Sequence, residues 1–239
     1  KNKIFFSKSE IKRNLRLLNK RTKADIDLAY KRIFNFHKNQ KVKTFSVTDK
    51  FKNKLSYRTN PIQKIGVYVP GGQASYPSSV LMNCIPAIIA GVPEIFMTVP
   101  SINKKINPGI LYAAKKCKIK KIYKLGGAQA IGALAFGTDV VEKVDKITGP
   151  GNEFVSLAKK EVFGEVGIDI FAGPSEVTVI ADKYSDANWV AADLIAQAEH
   201  DQRAQSILVT DSKELILKVK KFINYQWNFY QRKKLSLRV

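Results

Sequence analysis

Gln197 and His200 stand three positions apart in the run Ala196-Gln197-Ala198-Glu199-His200-Asp201. On a helix that spacing brings a carboxamide and an imidazole to one face, about one turn apart, so both can reach a single metal ion. Zinc favours four donors, and the surrounding sequence supplies no obvious third and fourth. A lone helical histidine is more often a surface or core residue than a ligand, so on spacing alone the metal reading of His200 is the less frequent one. The second histidine, His37, falls in a lysine-rich helical stretch and is read as incidental.

Four glycine-bearing segments supply the other chemistry. In Gly66-Val67-Tyr68-Val69-Pro70-Gly71-Gly72 a short apolar run meets a Pro-Gly-Gly turn, where a ligand can approach the backbone without a Cβ in its way. Leu125-Gly126-Gly127-Ala128-Gln129-Ala130 repeats the arrangement, with Gln129 in the first turn of a helix whose exposed N–H groups favour phosphate. The glycine spacing is not Gly-x-Gly-x-x-Gly, so a dinucleotide would have to be held in another way. In Thr148-Gly149-Pro150-Gly151-Asn152, Asn152 is placed either to cap the helix that follows or to face a ligand. In Gly167-Ile168-Asp169-Ile170-Phe171-Ala172-Gly173-Pro174-Ser175-Glu176 a Gly-Pro turn sets Ser175 and Glu176 at the mouth of a strand, a position suited to substrate contact.

These segments must be positioned by the elements between them. From Lys64 onward, short apolar runs alternate with helical periodicity: strands near 65–69, 94–99, 122–123 and 146–148, and helices over 79–90, 108–117, 128–136 and 153–162. A second series follows, with strands at 176–181 and 206–210 and helices at 186–199 and 212–225. Such alternation predicts an α/β protein with parallel sheets, with the glycine turns at the strand ends where ligands bind. Upstream, apolar residues from Ser9 to His37 recur at helical spacing and predict one long helix or two, with Ser9 as cap and Thr22 as a possible interruption.

The formal net charge of +21 raises nucleic acid as a partner, but its distribution is uneven. Residues 1–60 carry 18 Lys+Arg against 4 Asp+Glu, residues 61–210 carry 15 against 14, and residues 211–239 carry 8 against 2. The excess is mostly lysine, without an aromatic-glycine RNA signature or zinc-finger spacing, and is read chiefly as a solvated face. A basic binding module built on the N-terminal helices is the competing reading. No apolar run approaches the roughly 20 residues that span a bilayer, so no membrane partner is expected. Cys84 and Cys117 lie in apolar, helix-like surroundings, as buried thiols of a reducing compartment would, which points to the cytoplasm. The chain begins with Lys1 and shows no secretion leader, so its first residues are expected to be missing.

Taken in order, GPGN, VGIDIFAGPSE and AADLIAQAEHD closely resemble histidinol dehydrogenase over about Lys64 to Thr210. That family oxidises L-histidinol through the aldehyde to L-histidine with two NAD. The resemblance implies that Tyr68, Gln129 and Asn152 contact NAD, that Ser175, Gln197 and His200 contact substrate, and that Gln197 and His200 bind zinc. It also implies two incomplete Rossmann-like lobes: 68–175 inserted into a discontinuous lobe made of 1–67 and 176–239, with the N-terminal helices in front. The family's Glu-His general acid–base pair, and the aspartate and histidine completing its zinc sphere, would lie beyond Val239. Downstream of Tyr225 the chain has no histidine or acidic residue. A homodimer is expected of the parent protein, and this chain is expected to be inactive alone or to serve as partner to a separate C-terminal half.

Overall fold

A computed structural model describes residues 4–71, 76–100, 106–171, 176–198 and 204–227. The chain divides into two compact units, Lys1–Phe171 and Ala172–Val239.

The first unit opens with two helices, α1 (Lys8–Leu15) and α2 (Lys20–His37), followed by a hairpin of β1 (Phe45–Thr48) and β2 (Lys54–Tyr57). Then strands and helices alternate: β3 (Lys64–Tyr68), α3 (Pro77–Ala90), β4 (Glu94–Thr98), α4 (Pro108–Lys116), β5 (Lys121–Tyr123), α5 (Ala128–Phe136), β6 (Lys146–Thr148), α6 (Glu153–Glu161) and β7 (Gly167–Ile168). The last five strands form one parallel sheet in the order β5-β4-β3-β6-β7. Because β3 comes first in the chain yet lies in the middle, successive crossovers run outward in both directions from it. Val67, Met97 and Ile122 pack with residues of α3 and α4 in one core, while Phe96, Tyr123 and Ile147 pack with α5 and α6 in another. Helices thus cover both faces, as a parallel sheet with apolar residues on each side requires.

Local chemistry fixes the ends of these elements. Pro77 occupies the first turn of α3, and Gly91, in the left-handed region at φ 89°, ends it. Asn107 caps α4 by accepting from the Gly109 N–H at 2.7 Å. The N-terminal segment protects the β5 edge: the Phe6 N–H donates to the Ile122 carbonyl at 2.9 Å, and Phe5 bridges Tyr123 antiparallel. Helix α2 is tied to α4 by Asp27, which accepts from the Tyr112 hydroxyl and pairs with Lys116, each at 3.0 Å. The Lys116 ammonium holds the Asp27 carboxyl below its ordinary range. Cys84 and Cys117 are both buried, and the hydrogen bond between them, reinforced by burial, pushes the Cys84 thiol well up.

The second unit is a smaller version of the same design. Strands β8 (Glu176–Ile180) and β9 (Gln205–Val209) pair in parallel, with α7 (Ala187–Ala198) as crossover and α8 (Lys213–Trp227) beside it. Ala191, Leu194, Ile195, Leu215, Val219 and Ile223 make its core. Ser206, buried in β9, satisfies its hydroxyl by donating to the Leu194 carbonyl at 2.8 Å.

Three details of the N-terminal region differ from what the sequence leads one to expect. Ser7, not Ser9, caps α1, in a box where Ser7 accepts from Glu10 N–H and Glu10 accepts from Ser7 N–H. The break between α1 and α2 falls at residues 16–19 rather than at Thr22, because Asn19 accepts from the Thr22 N–H and starts a new helix. The β1–β2 hairpin is additional. It joins Phe45, Val47, Leu55 and Tyr57 on one solvent-exposed face and pairs Ser46 with Ser56 on the other.

Candidate functional site

The strand order places a topological switch between β3 and β6, since their connections leave in opposite directions; crevices at the carboxyl ends of such strands are where open α/β sheets bind ligands. Tyr68 ends β3 at this point, with its ring buried and its hydroxyl accepting from the Gly127 N–H at 3.1 Å. Burial raises the phenol above its ordinary range, so it stays protonated and keeps a proton to donate.

Glycines let the neighbouring turns close around Tyr68. A Cβ on Gly149 would lie 2.0 Å from the Tyr68 carbonyl oxygen, and Gly149 itself sits at φ +115°. A Cβ on Gly126 would meet Pro100 Cγ at 2.3 Å, and one on Gly71 would meet Pro100 Cβ at 2.9 Å. The turns after β3, β4, β5 and β6 therefore form one tightly packed crest, with Tyr68 and Pro100 at its centre. Behind it, the Thr98 and Thr148 hydroxyls are buried at the ends of β4 and β6 without a hydrogen-bond partner among the described residues.

Two helices begin at this crest and present different ends. Helix α5 starts at Gly127, has no side-chain cap and carries no acidic residue in its first turn, so its leading N–H groups favour an anion. Gln129 is exposed in that first turn. Helix α6 is capped by Asn152, which accepts from the Val155 N–H at 3.1 Å, and has Glu153 in its first turn. Asn152 thus performs the capping role and remains solvent-exposed beside the crest.

The site residues foreseen from the sequence fall into three groups. Tyr68, Gln129 and Asn152 all lie at the carboxyl edge of the five-stranded sheet. Gln197 is half-buried in the last turn of α7 in the second unit. Ser175 and His200 lie outside the described residues. Among the described residues no three His, Cys, Asp or Glu side chains come together to hold a metal.

Two further residues at the crest carry no signal strong enough to select them from sequence. Lys159 is buried in α6, where its ammonium donates to the Gly149 carbonyl at 3.1 Å and pairs with Asp169, whose other oxygen accepts the Gly149 N–H at 2.7 Å. The available hint is periodicity: Lys159 shares the inward stripe of α6 with Val155 and Val162, a place where lysine is rare.

Comparison with known proteins agrees with the fold. The family model described as histidinol dehydrogenase matches residues 1–238. Histidinol dehydrogenase of Pelagibacter ubique is 57% identical over 211 residues, covering 88% of this chain and 49% of the relative. Histidinol dehydrogenase 1 of Trichormus variabilis is 53% identical over 197 residues, covering 82% and 46% respectively. The crystal structure of histidinol dehydrogenase from Elizabethkingia anophelis superposes with a TM-score of 0.91 at 40% identity, covering 98% of this chain and 54% of that one. The chain therefore spans about half the length of the relatives it matches. No helix among the described residues is long and apolar enough to cross a membrane.

Proposed function

Since the chain belongs to the histidinol dehydrogenase family, we propose that it is the N-terminal and central portion of a cytoplasmic, homodimeric, NAD- and zinc-dependent enzyme that oxidises L-histidinol to L-histidine. The observation carrying this reading is the glycine-packed carboxyl edge around Tyr68, which combines an uncapped helix start with close backbone approach. In that reading the α5 N-terminus takes the negative charge of the dinucleotide, Gln129 and Asn152 hydrogen-bond it, and Tyr68 contacts it while fixing the turn from which α5 begins. Bound there, NAD would accept the hydride. Residues 68–175 would carry the cofactor side as an inserted lobe, flanked by 1–67 and 176–239.

Ser175, Gln197 and His200 would contact the substrate, and the last two would donate to zinc. Two donors supply only part of a four-coordinate sphere, so the remaining ligands and the Glu-His pair would come from residues beyond Val239. On that basis the 239 residues alone are inactive.

The test is to supply L-histidinol, NAD and zinc to the chain and follow NADH, alone and mixed with the C-terminal half of the Pelagibacter ubique relative. The expected result is no NADH from the chain alone and turnover from the mixture. Turnover by the chain alone would contradict its dependence on a second half. A mixture of two folded halves that makes no NADH would contradict the proposed activity.

A further inference from the structure

Lys159 is only 4% exposed, and its ammonium is shared between the Gly149 carbonyl and the Asp169 carboxylate. The Gly149 carbonyl accepts from Lys159 at 3.1 Å, the Gly149 N–H donates to Asp169 at 2.7 Å, and Lys159 and Asp169 pair with each other. Both polar atoms of one residue are thus held by a single ion pair. Burying charge in this way is seldom the most stable solution, since apolar side chains of similar volume commonly serve stability as well or better. What the pair provides is direction: two charge-assisted bonds converge on a residue held at φ +115°, where a Cβ would strike the Tyr68 carbonyl.

The two partners come from different elements of the first unit. Lys159 belongs to α6, the helix that Asn152 caps, and Asp169 follows β7. We propose that Lys159 and Asp169 are positioning residues: together they hold the Gly149-Pro150-Gly151 turn against Tyr68 and present Asn152 to the dinucleotide. This rests on the cofactor reading given above for the Tyr68 edge. A pair that served only to hold α6 on the sheet would have no need to bind both polar atoms of Gly149.

The experiment compares the 239-residue chain with its Lys159→Met, Lys159→Arg and Asp169→Asn variants, measuring NAD affinity by titration calorimetry and amide exchange at Gly149 by NMR. Lys159→Met and Asp169→Asn should weaken NAD by about tenfold or more, the scale on which misplacing a positioning group acts. Both should also speed exchange at the Gly149 amide while amides of β3 and β4 keep their protection. Lys159→Arg, which retains the cation and its donors, should recover most of the affinity. If Lys159→Met does not fold, Asp169→Asn decides, since Asp169 is the more exposed partner. Unchanged NAD affinity together with unchanged Gly149 exchange overturns the proposal, as does protection lost uniformly across the unit with affinity retained. Failure of the unsubstituted chain to bind NAD overturns the cofactor reading, and Gly149 exchange in the variants then decides the clamp alone.

Discussion

The two units use the same strand-helix-strand grammar and end in different states of completion. In the first, five parallel strands are covered on both faces, and residues such as Phe96, Met97 and Ile147 are fully enclosed. In the second, α7 and α8 cover one face of a two-stranded sheet, and Val179 and Leu208 pack beneath them. On its other face Ile180, Ile207 and Val209 are exposed, with Ile180 at 83%. Parallel strands normally carry apolar residues on both sides because both sides are buried. A doubly covered sheet can shape a ligand edge from its own residues, whereas a sheet covered on one side depends on other chain segments for rigidity. That contrast fits a first unit that builds its crest internally and a second unit whose sheet keeps one apolar face open among the described residues.

Substitutions at matched positions would break or sharpen this contrast. Phe96→Ala should have the largest effect, lowering the stability of the first unit by about 3–5 kcal/mol in denaturant titration, because it empties a fully enclosed site in the core that the sheet shares with α5 and α6. A loss below about 1 kcal/mol would mean that the enclosed core is less tightly packed than the structure shows.

Glu10 gives an intermediate effect with a defined pH sign. Its hydrogen bond and ion pair with Lys124 at 2.7 Å, helped by the Ser7 N–H, lower its pKa to about 2. The stabilisation is present above the ordinary carboxylate pKa of 4.5 and is lost as pH falls toward about 2. With the carboxylate about a third exposed, Glu10→Gln should cost about 1 kcal/mol or less at neutral pH. The cost should vanish in acid, and a difference that persists at the lowest pH would place the effect elsewhere. Ile180→Thr, on the open face of β8, should shift stability by no more than about 0.5 kcal/mol in this chain. A drop comparable to that of Phe96→Ala would show that the face is covered.

Much of the first unit was legible because its signals are local. Ala128–Phe136 and Lys146–Thr148 have the bounds expected from apolar periodicity and glycine punctuation. The β1–β2 hairpin was not, since Phe45, Val47, Leu55 and Tyr57 alternate at strand spacing inside a lysine-rich stretch and face solvent. Strand β7 is two residues long, too short to carry any period. Among the candidate site residues, Gln129 and Asn152 stood out through the glycines beside them, and Tyr68 through the family resemblance. Lys159 and Asp169 did not, because ten residues separate partners whose meeting depends on how α6 lies on the sheet. For the Gln197–His200 pair the sequence supplies spacing alone, and His200 lies outside the described residues.

The most direct measurement is calorimetric titration of NAD into the 239-residue chain and its Gln129→Ala and Asn152→Ala variants. Saturable binding that weakens about tenfold in each variant is the expected result, the scale of one hydrogen bond to a charged group. No detectable binding at millimolar NAD, or equal affinity in all three proteins, would contradict a dinucleotide seat at the Tyr68 edge.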